Sequence, residues 1–260
     1  MTTAIIIPAR YGSTRFPGKP LHEIAGVAML ERVYRLAKQV NNVDGVYVAT
    51  DDARIKTFVE GFGGQAVMTS ESCPNGTARV WEAAQQLNPV PDIILNLQGD
   101  APLTPPWVVQ GLVDELQANA DVPVATPATR MTEVAYEKLK AAKAAGEVSG
   151  TTVVTDKSGN AMYFSKSLIP FVRKKVGDVF PVMRHVGLYG YRKEALAQYF
   201  DLGETDLENI EGLEQLRYLY HGIPIRVVEV DYKGRTHWGV DSPEDAQRAE
   251  EIIAAEGELL

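Results

Sequence analysis

The chain reads as an α/β protein with a largely parallel sheet and helices on both faces. Three observations predict this. Short apolar runs, rich in β-branched residues, recur at 4–8, 46–50, 93–98 and 122–127, as buried strands require. Helical spacing fills much of the intervals, and that alternation demands crossover helices and parallel pairing. Apolar residues make up 45% of 260 and charged residues 23%, enough core for one large domain or two small ones and too little charge for disorder.

Taken in order, Ala4–Pro8 is a buried first strand ended by Pro, and a loop over 9–20 follows. Met29–Val40 has helical spacing at Leu30, Val33, Tyr34 and Ala37. VYVAT (46–50) is a strand, and Asp51-Asp52 can cap a helix over 53–61. Gly63-Gly64 turns into a short strand at Ala66–Met68, and Ala78–Leu87 is helical. IILNLQ (93–98) is a strand that ends at Gly99-Asp100, Pro106–Asn119 is a helix, and VPVATP (122–127) is a strand. Functional loops are expected at the carboxyl ends of these strands: the loop after the first, the turn Thr50–Asp52 and the turn Gly99-Asp100.

The second half is less regular. Residues 133–145 suggest a helix, and TTVVT (151–155) and AMYFS (161–165) a hairpin around Asp156–Asn160. VGLYGYR (186–192) reads as one strand leading into a helix over 193–200, and Leu207–Tyr220 as one continuous helix. IRVVEV (225–230) is a strand, and Ser242 with Pro243 starts a terminal helix. The expected organisation is a single domain over 1–260. Residues up to about 130 form the first part, about 131–225 a subregion, and 226–260 return to the main sheet.

Net charge is −8, which disfavours nucleic-acid binding through a broad basic surface. The first 40 residues run against this balance, with Arg10, Arg15, Lys19, Arg32, Arg35 and Lys38 against Glu23 and Glu31. Arg32, Arg35 and Lys38 fit a solvated helix face. The other three fit an anionic small ligand. Cys73 stands alone, which excludes an intramolecular disulfide and a cysteine-rich metal site and suits a passive residue. No apolar stretch is long enough to span a bilayer and the N-terminus lacks a signal-peptide pattern, so a soluble cytoplasmic protein with no membrane partner is expected.

GSTRFPGKP (12–20) comes close to a P-loop but lacks its spacing. Gly12 and Gly18 are separated by five residues, Pro20 stands where a metal-binding hydroxyl belongs, and the helix starts only near Ala28. The loop still suits phosphate. Its glycines allow close backbone approach, Pro17 stiffens the path, Ser13 and Thr14 bring hydroxyls, and Arg10, Arg15 and Lys19 bring three cations. A solvated surface turn is the plain alternative. A G-x-G-x-x-G turn is missing, which counts against an NAD-binding Rossmann enzyme.

IIIPARYGSTRFPGKPL (5–21) resembles the signature loop of the CMP-Kdo synthetases, cytidylyltransferases that activate 3-deoxy-manno-octulosonate (Kdo) for lipopolysaccharide. VYVATDD, NGT (75–77), LNLQGD (95–100), AMYFS, RHVGLYGYR (184–192), LEQLR (213–217) and GVDSPED (239–245) resemble further family blocks in the same order along nearly the whole chain. The resemblance implies a Rossmann-like nucleotide-diphospho-sugar transferase fold, with a mixed, mostly parallel sheet and a smaller sugar-binding and dimerisation subregion. It implies transfer of CMP from CTP to the anomeric hydroxyl of Kdo with release of pyrophosphate, a need for Mg²⁺, and a homodimer. It makes Arg10, Arg15, Lys19 and Asp100 the catalytic candidates. Ala9, Arg10, Ser13, Arg15, Lys19, Thr50, Asp51, Gly76 and Thr77 are implied nucleotide contacts, and Gln98, His185, Tyr189, Glu214 and Gln215 acceptor contacts. Asp100 and Asp241 are the implied metal ligands, each after a glycine-containing turn; helix-start chemistry is the competing role for Asp241. His185 and Tyr189 should share one face of a strand, and Glu214 and Gln215 should be adjacent on a helix.

The chain departs from the family pattern in places. Ala101 and Ala78 stand where an acid is usual, Lys166 where an arginine is, and a threonine around Thr151–Thr152 where a lysine is; Trp238 adds bulk near Asp241. The triphosphate loop and both aspartates remain. The open alternatives are a modified Kdo, another 2-keto sugar acid or another anionic acceptor, and a non-catalytic sugar-nucleotide binding protein.

Overall fold

A computed structural model describes residues 1–12, 16–174 and 180–260. The chain divides into two compact units, one of Met1–Asp114 with Tyr232–Leu260 and one of Glu115–Asp231.

The first unit begins with β1 (Thr3–Ala9), a hairpin of β2 (Glu23–Ile24) and β3 (Val27–Ala28), and α1 (Met29–Ala37). It continues through β4 (Gly45–Thr50), α2 (Ala53–Gly61), β5 (Gln65–Met68), α3 (Gly76–Gln85), β6 (Ile93–Asn96) and α4 (Pro106–Ala118) as far as Asp114. The strand order is β5-β4-β1-β6, all parallel. Ile5, Ile6 and Ile7 at its centre are wholly buried, as expected of a parallel strand covered on both faces. Asp52 caps α2 and Asn75 caps α3 through side-chain hydrogen bonds.

One expectation fails here. Arg32 is not on a solvated face: its side chain is 1% exposed. Its guanidinium donates to the Ile24 carbonyl at 2.9 and 2.6 Å and to Glu258 at 2.6 Å. Those partners satisfy a charge that would otherwise be too costly to bury.

The second unit contains β7 (Val124–Arg130), α5 (Glu133–Ala144), the hairpin β8 (Thr152–Thr155) and β9 (Ala161–Ser165), β10 (Met183–His185), β11 (Tyr189–Arg192), α6 (Lys193–Asp201), α7 (Asp206–Glu211), α8 (Leu216–Tyr220) and β12 (Ile225–Glu229). β7 pairs antiparallel with β10 and β11 and parallel with β12; β8 pairs antiparallel with β10 and β9. The α/β class therefore holds, with parallel pairing where strand and helix alternate in sequence and mixed pairing where they do not. The chain then closes in the first unit with α9 (Pro243–Glu256).

Two predicted elements are broken. The run 186–192 is not one strand, because a tight turn at Gly187, closed by Leu188 N to Val186 O at 2.7 Å, separates β10 from β11. Residues 207–220 are not one helix, because the backbone turns left-handed at Gly212 (φ 59) and ends α7.

Candidate active site

From β1 the chain passes to β4 and β5 on one side, and later returns to β6 on the other. The crevice between the carboxyl ends of β1 and β6 is thus a topological switch point, where open α/β sheets bind ligands. A cavity of about 380 Å³ opens there. Ala9 and Arg10 line it from the end of β1, Gln98, Gly99 and Asp100 from the end of β6, and Lys19, Gly76, Arg79 and Asp241 from flanking segments.

Gly99 permits the close approach of the two strand ends, since a Cβ there would lie 2.8 Å from the Pro8 carbonyl oxygen. Gly18 adopts φ 72, its N–H donates to the Tyr11 carbonyl at 3.2 Å, and Lys19 enters a 3₁₀ turn behind it. The loop therefore closes at Tyr11 and Gly18, and its two flanking cations, Arg10 and Lys19, both reach the cavity. Lys19 Nζ donates to Asp100 Oδ2 at 2.9 Å, to the Val240 carbonyl at 2.9 Å and to Asp241 Oδ1 at 3.2 Å. Its side chain is 14% exposed, and such shielding strengthens each of these interactions.

Asp241 is not the helix cap. Ser242 caps α9 in a capping box with Asp245, whose Oδ2 also accepts from Asp241 N at 3.0 Å. The Asp241 carboxylate is left to face Lys19. Trp238 packs against the core cluster that includes Phe16, Met29 and Leu103, and donates to the Asp245 carbonyl. Asp100 and Asp241 bring carboxylate oxygens to one point, a donor set that suits a hard divalent cation with phosphate and water completing its shell. Among the described residues no cluster of three His, Cys, Asp or Glu side chains forms a closed metal cage.

The chain matches the cytidylyltransferase family over residues 4–227. It belongs to that family. It is 54% identical to a 3-deoxy-manno-octulosonate cytidylyltransferase of Maricaulis maris (strain MCS10) over 100% of both chains. It is 42% identical to one from Anaeromyxobacter dehalogenans (strain 2CP-C) over 97% of this chain and 98% of the relative. Among solved structures it is similar to a CMP:2-keto-3-deoxy-manno-octonic acid synthetase complexed with CTP, at TM-score 0.86 and 38% identity, covering 98% of this chain and 100% of that one.

In this cytidylyltransferase, then, the cavity brings together Ala9, Arg10, Lys19, Gly76, Gln98, Asp100 and Asp241. Ser13 and Arg15 lie outside the described residues. Thr50, Asp51 and Thr77 are not in the described lining. Thr50 and Thr77 are buried, and Asp51 pairs with Arg79 at 2.6 Å. Arg79 is a cavity residue that the sequence candidates do not include. It is 4% exposed, lines the cavity, and is held by Asp51 and by Thr69 Oγ1 at 2.6 Å. A signal was present: a cation in the first turn of α3 opposes the helix dipole, so something other than helix stability keeps it there.

The second unit carries the remaining candidates. His185 and Tyr189 do not alternate on one strand; they sit at facing ends of β10 and β11, and the turn between them leaves their rings 5.5 Å apart. His185 Nε2 is 2.8 Å from Thr126 Oγ1, and Phe164 packs edge-on to its ring. Burial, and then the charge of Glu214, pushes the Tyr189 hydroxyl well above its ordinary range, so it stays neutral. Glu214 and Gln215 are not in a helix but in the turn ahead of α8, which frees both from the 100° helical offset. Gln215 is 5% exposed and its Nε2 has no hydrogen-bond partner among the described residues.

No helix among the described residues is long and apolar enough to cross a membrane.

Proposed function

We propose that this chain transfers CMP from CTP to the anomeric hydroxyl of Kdo, giving CMP-Kdo and pyrophosphate. One observation carries the reading: Lys19, Asp100 and Asp241 meet within hydrogen-bond distance in the switch-point cavity. The likeness to a CTP-bound synthetase supports it.

The acceptor oxygen attacks the α-phosphorus, and the bond to the β-phosphate bridging oxygen breaks in line. Arg10 and Lys19, with Arg15 from the same loop, bind the charge that builds on the departing pyrophosphate, and Ser13 donates to it. Ala9, Thr50, Asp51, Gly76 and Thr77 serve the nucleoside end, and the N-terminus of α3 at Gly76 adds positive potential. Asp100 and Asp241 are the residues that would hold Mg²⁺, which supplies neutralisation of phosphate charge and a lower pKa for the attacking hydroxyl. Acceptor contacts are assigned to Gln98 and, in the second unit, to His185, Tyr189, Glu214 and Gln215. The unpartnered amide nitrogen of Gln215 suits a sugar oxygen, because a buried donor left unmade costs about 1–3 kcal/mol.

The test is pyrophosphate release from CTP plus Kdo with Mg²⁺. Lys19→Ala and Asp100→Ala should each lower kcat/KM by about 10²–10³, the scale of one lost transition-state charge contact, with circular dichroism unchanged. Turnover and CTP KM unaltered in both would remove the cavity from the mechanism. The same reading makes the chain a cytoplasmic homodimer; light scattering that gave a monomer at working concentration would refute the dimer.

A second reading, transfer to a modified Kdo, another 2-keto sugar acid or another anionic acceptor, is favoured by one local change. Around Thr151–Thr152, where a lysine is usual, the Thr152 hydroxyl donates to the Ser167 carbonyl and accepts from the Ile169 N–H, at 2.8 and 3.0 Å. Lys166 Nζ lies close to Gly212. An acceptor panel read by pyrophosphate separates the two readings.

A further inference from the structure

Arg54 stands in the first turn of α2, where a cation opposes the helix dipole. Its guanidinium lies 3.4 Å over the centre of the Tyr11 ring. Asp52 holds it there by a planar fork, accepting from Nε at 2.9 Å and from Nη2 at 2.6 Å. A bidentate fork fixes both the position and the plane of the group. Tyr11 in turn meets Gly18: their backbones are joined at 3.2 Å, and a Cβ on Gly18 would lie 3.3 Å from the Tyr11 hydroxyl oxygen. Tyr11 follows Arg10 and Gly18 precedes Lys19. The two residues that close the loop are therefore the immediate neighbours of its two cavity cations.

We propose that Arg54 is a positioning residue for nucleotide transfer, clamping Tyr11 so that Arg10 and Lys19 are aimed together at the β- and γ-phosphates of CTP. The proposal rests on the CTP reading above. Arg54 and Tyr11 are outside the described lining of the cavity, so the effect travels through the loop neck and not through ligand contact. A clamp of this kind acts on the triphosphate and leaves the nucleoside end alone.

The experiment measures dissociation constants of CTP and CMP, and KM for CTP and for the acceptor, in Arg54→Leu, Tyr11→Leu, Tyr11→Phe and the double Leu variant. An exposed cation–π contact corresponds to about a two- to fivefold change. Arg54→Leu should weaken CTP by that factor, leave CMP unchanged and leave the acceptor KM unchanged. Tyr11→Phe keeps the ring face and should bind CTP like the wild type. The double variant should match Tyr11→Leu alone, because the two residues form one device. Asp52→Asn keeps the helix cap but loses the charged fork, and should fall between wild type and Arg54→Leu. Equal losses for CTP and CMP, no loss in Arg54→Leu, or a double variant showing the product of the two single effects would each overturn the clamp. Wild-type protein that bound CTP yet released no pyrophosphate would instead overturn the assigned reaction, and wild-type protein that bound neither nucleotide would overturn both.

Discussion

Cys73 and Lys19 line one cavity and behave in opposite ways. Lys19 has a compact charge on a long stem, and its three oxygen partners fix the ammonium in place. Cys73 has its charge suppressed. Burial, and then the hydrogen bond to Glu82 (Sγ to Oε2, 3.1 Å), push the thiol from 9.0 up to about 11. A rise of that size leaves about a hundredth of the ordinary thiolate population, and the thiolate is the reactive form. Native protein at neutral pH should therefore react with iodoacetamide about a hundredfold more slowly than the urea-unfolded chain. Glu82→Gln should recover part of the rate, because the neighbouring negative charge is gone. Equal native and unfolded rates would contradict this burial. The single cysteine's passive role was legible in its isolation; the carboxylate that enforces it was not, since Glu82 is nearly two turns into α3 and no spacing rule links it to Cys73.

The start of α9 shows an element aiming a functional side chain. Asp245 Oδ2 accepts from Asp241 N, Ser242 N and Ser242 Oγ at 3.0, 3.0 and 3.1 Å. Asp245→Ala removes all three and should destabilise the fold by about 1–2 kcal/mol, at the upper end for a lost cap. It should lower kcat for pyrophosphate release more than Ser242→Ala does, because only Asp245 also holds the Asp241 backbone. Equal effects on kcat would show that Asp241 is placed by something else. Elements of this kind were readable wherever local chemistry decided them. Ser242-Pro243 marked the start of α9, and the alternation of strands and helices gave the parallel sheet whose switch point holds Ala9, Arg10 and Asp100. What was not readable depends on tertiary partners. Arg32 looks solvated because nothing in α1 reveals Glu258 and the Ile24 carbonyl. Leu207–Tyr220 keeps its apolar period across Gly212, so periodicity alone hides the break that puts Glu214 and Gln215 in a turn.

At the scale of the whole molecule, the second unit concentrates a liability at high pH. Tyr189, Tyr191, Tyr199 and Tyr218 form a chain of rings, with centroids 5.9 Å apart for the first pair, 6.1 Å for Tyr191 and Tyr218, and 5.4 Å for Tyr199 and Tyr218. Burial pushes all four hydroxyls above their ordinary value of 10.0, and the charge of Glu214 adds to the shift. Below pH 10 the folded and unfolded states hold these protons equally, and the stability from burying the rings is fully present. Above it the unfolded chain sheds them while the folded one keeps them, so stability is lost as pH rises. Each tyrosine adds a slope of up to about 1.4 kcal/mol per pH unit, which for four together would consume a typical domain stability of about 5–15 kcal/mol within a few units. Tyrosinate absorbance followed against pH should then show two classes among the 11 tyrosines. One should titrate reversibly near 10. A second, including these four, should ionise only together with loss of circular dichroism, and return with hysteresis. Tyr218→Phe removes one of these protons and should move the alkaline transition upward, provided that losing the hydrogen bond from its hydroxyl to the Ala195 carbonyl (3.1 Å) is offset by a matched comparison at neutral pH. A single reversible step for all tyrosines in protein that stays folded would mean that the ring chain is open to water, and the packing that sets His185 beside Tyr189 would lose its basis.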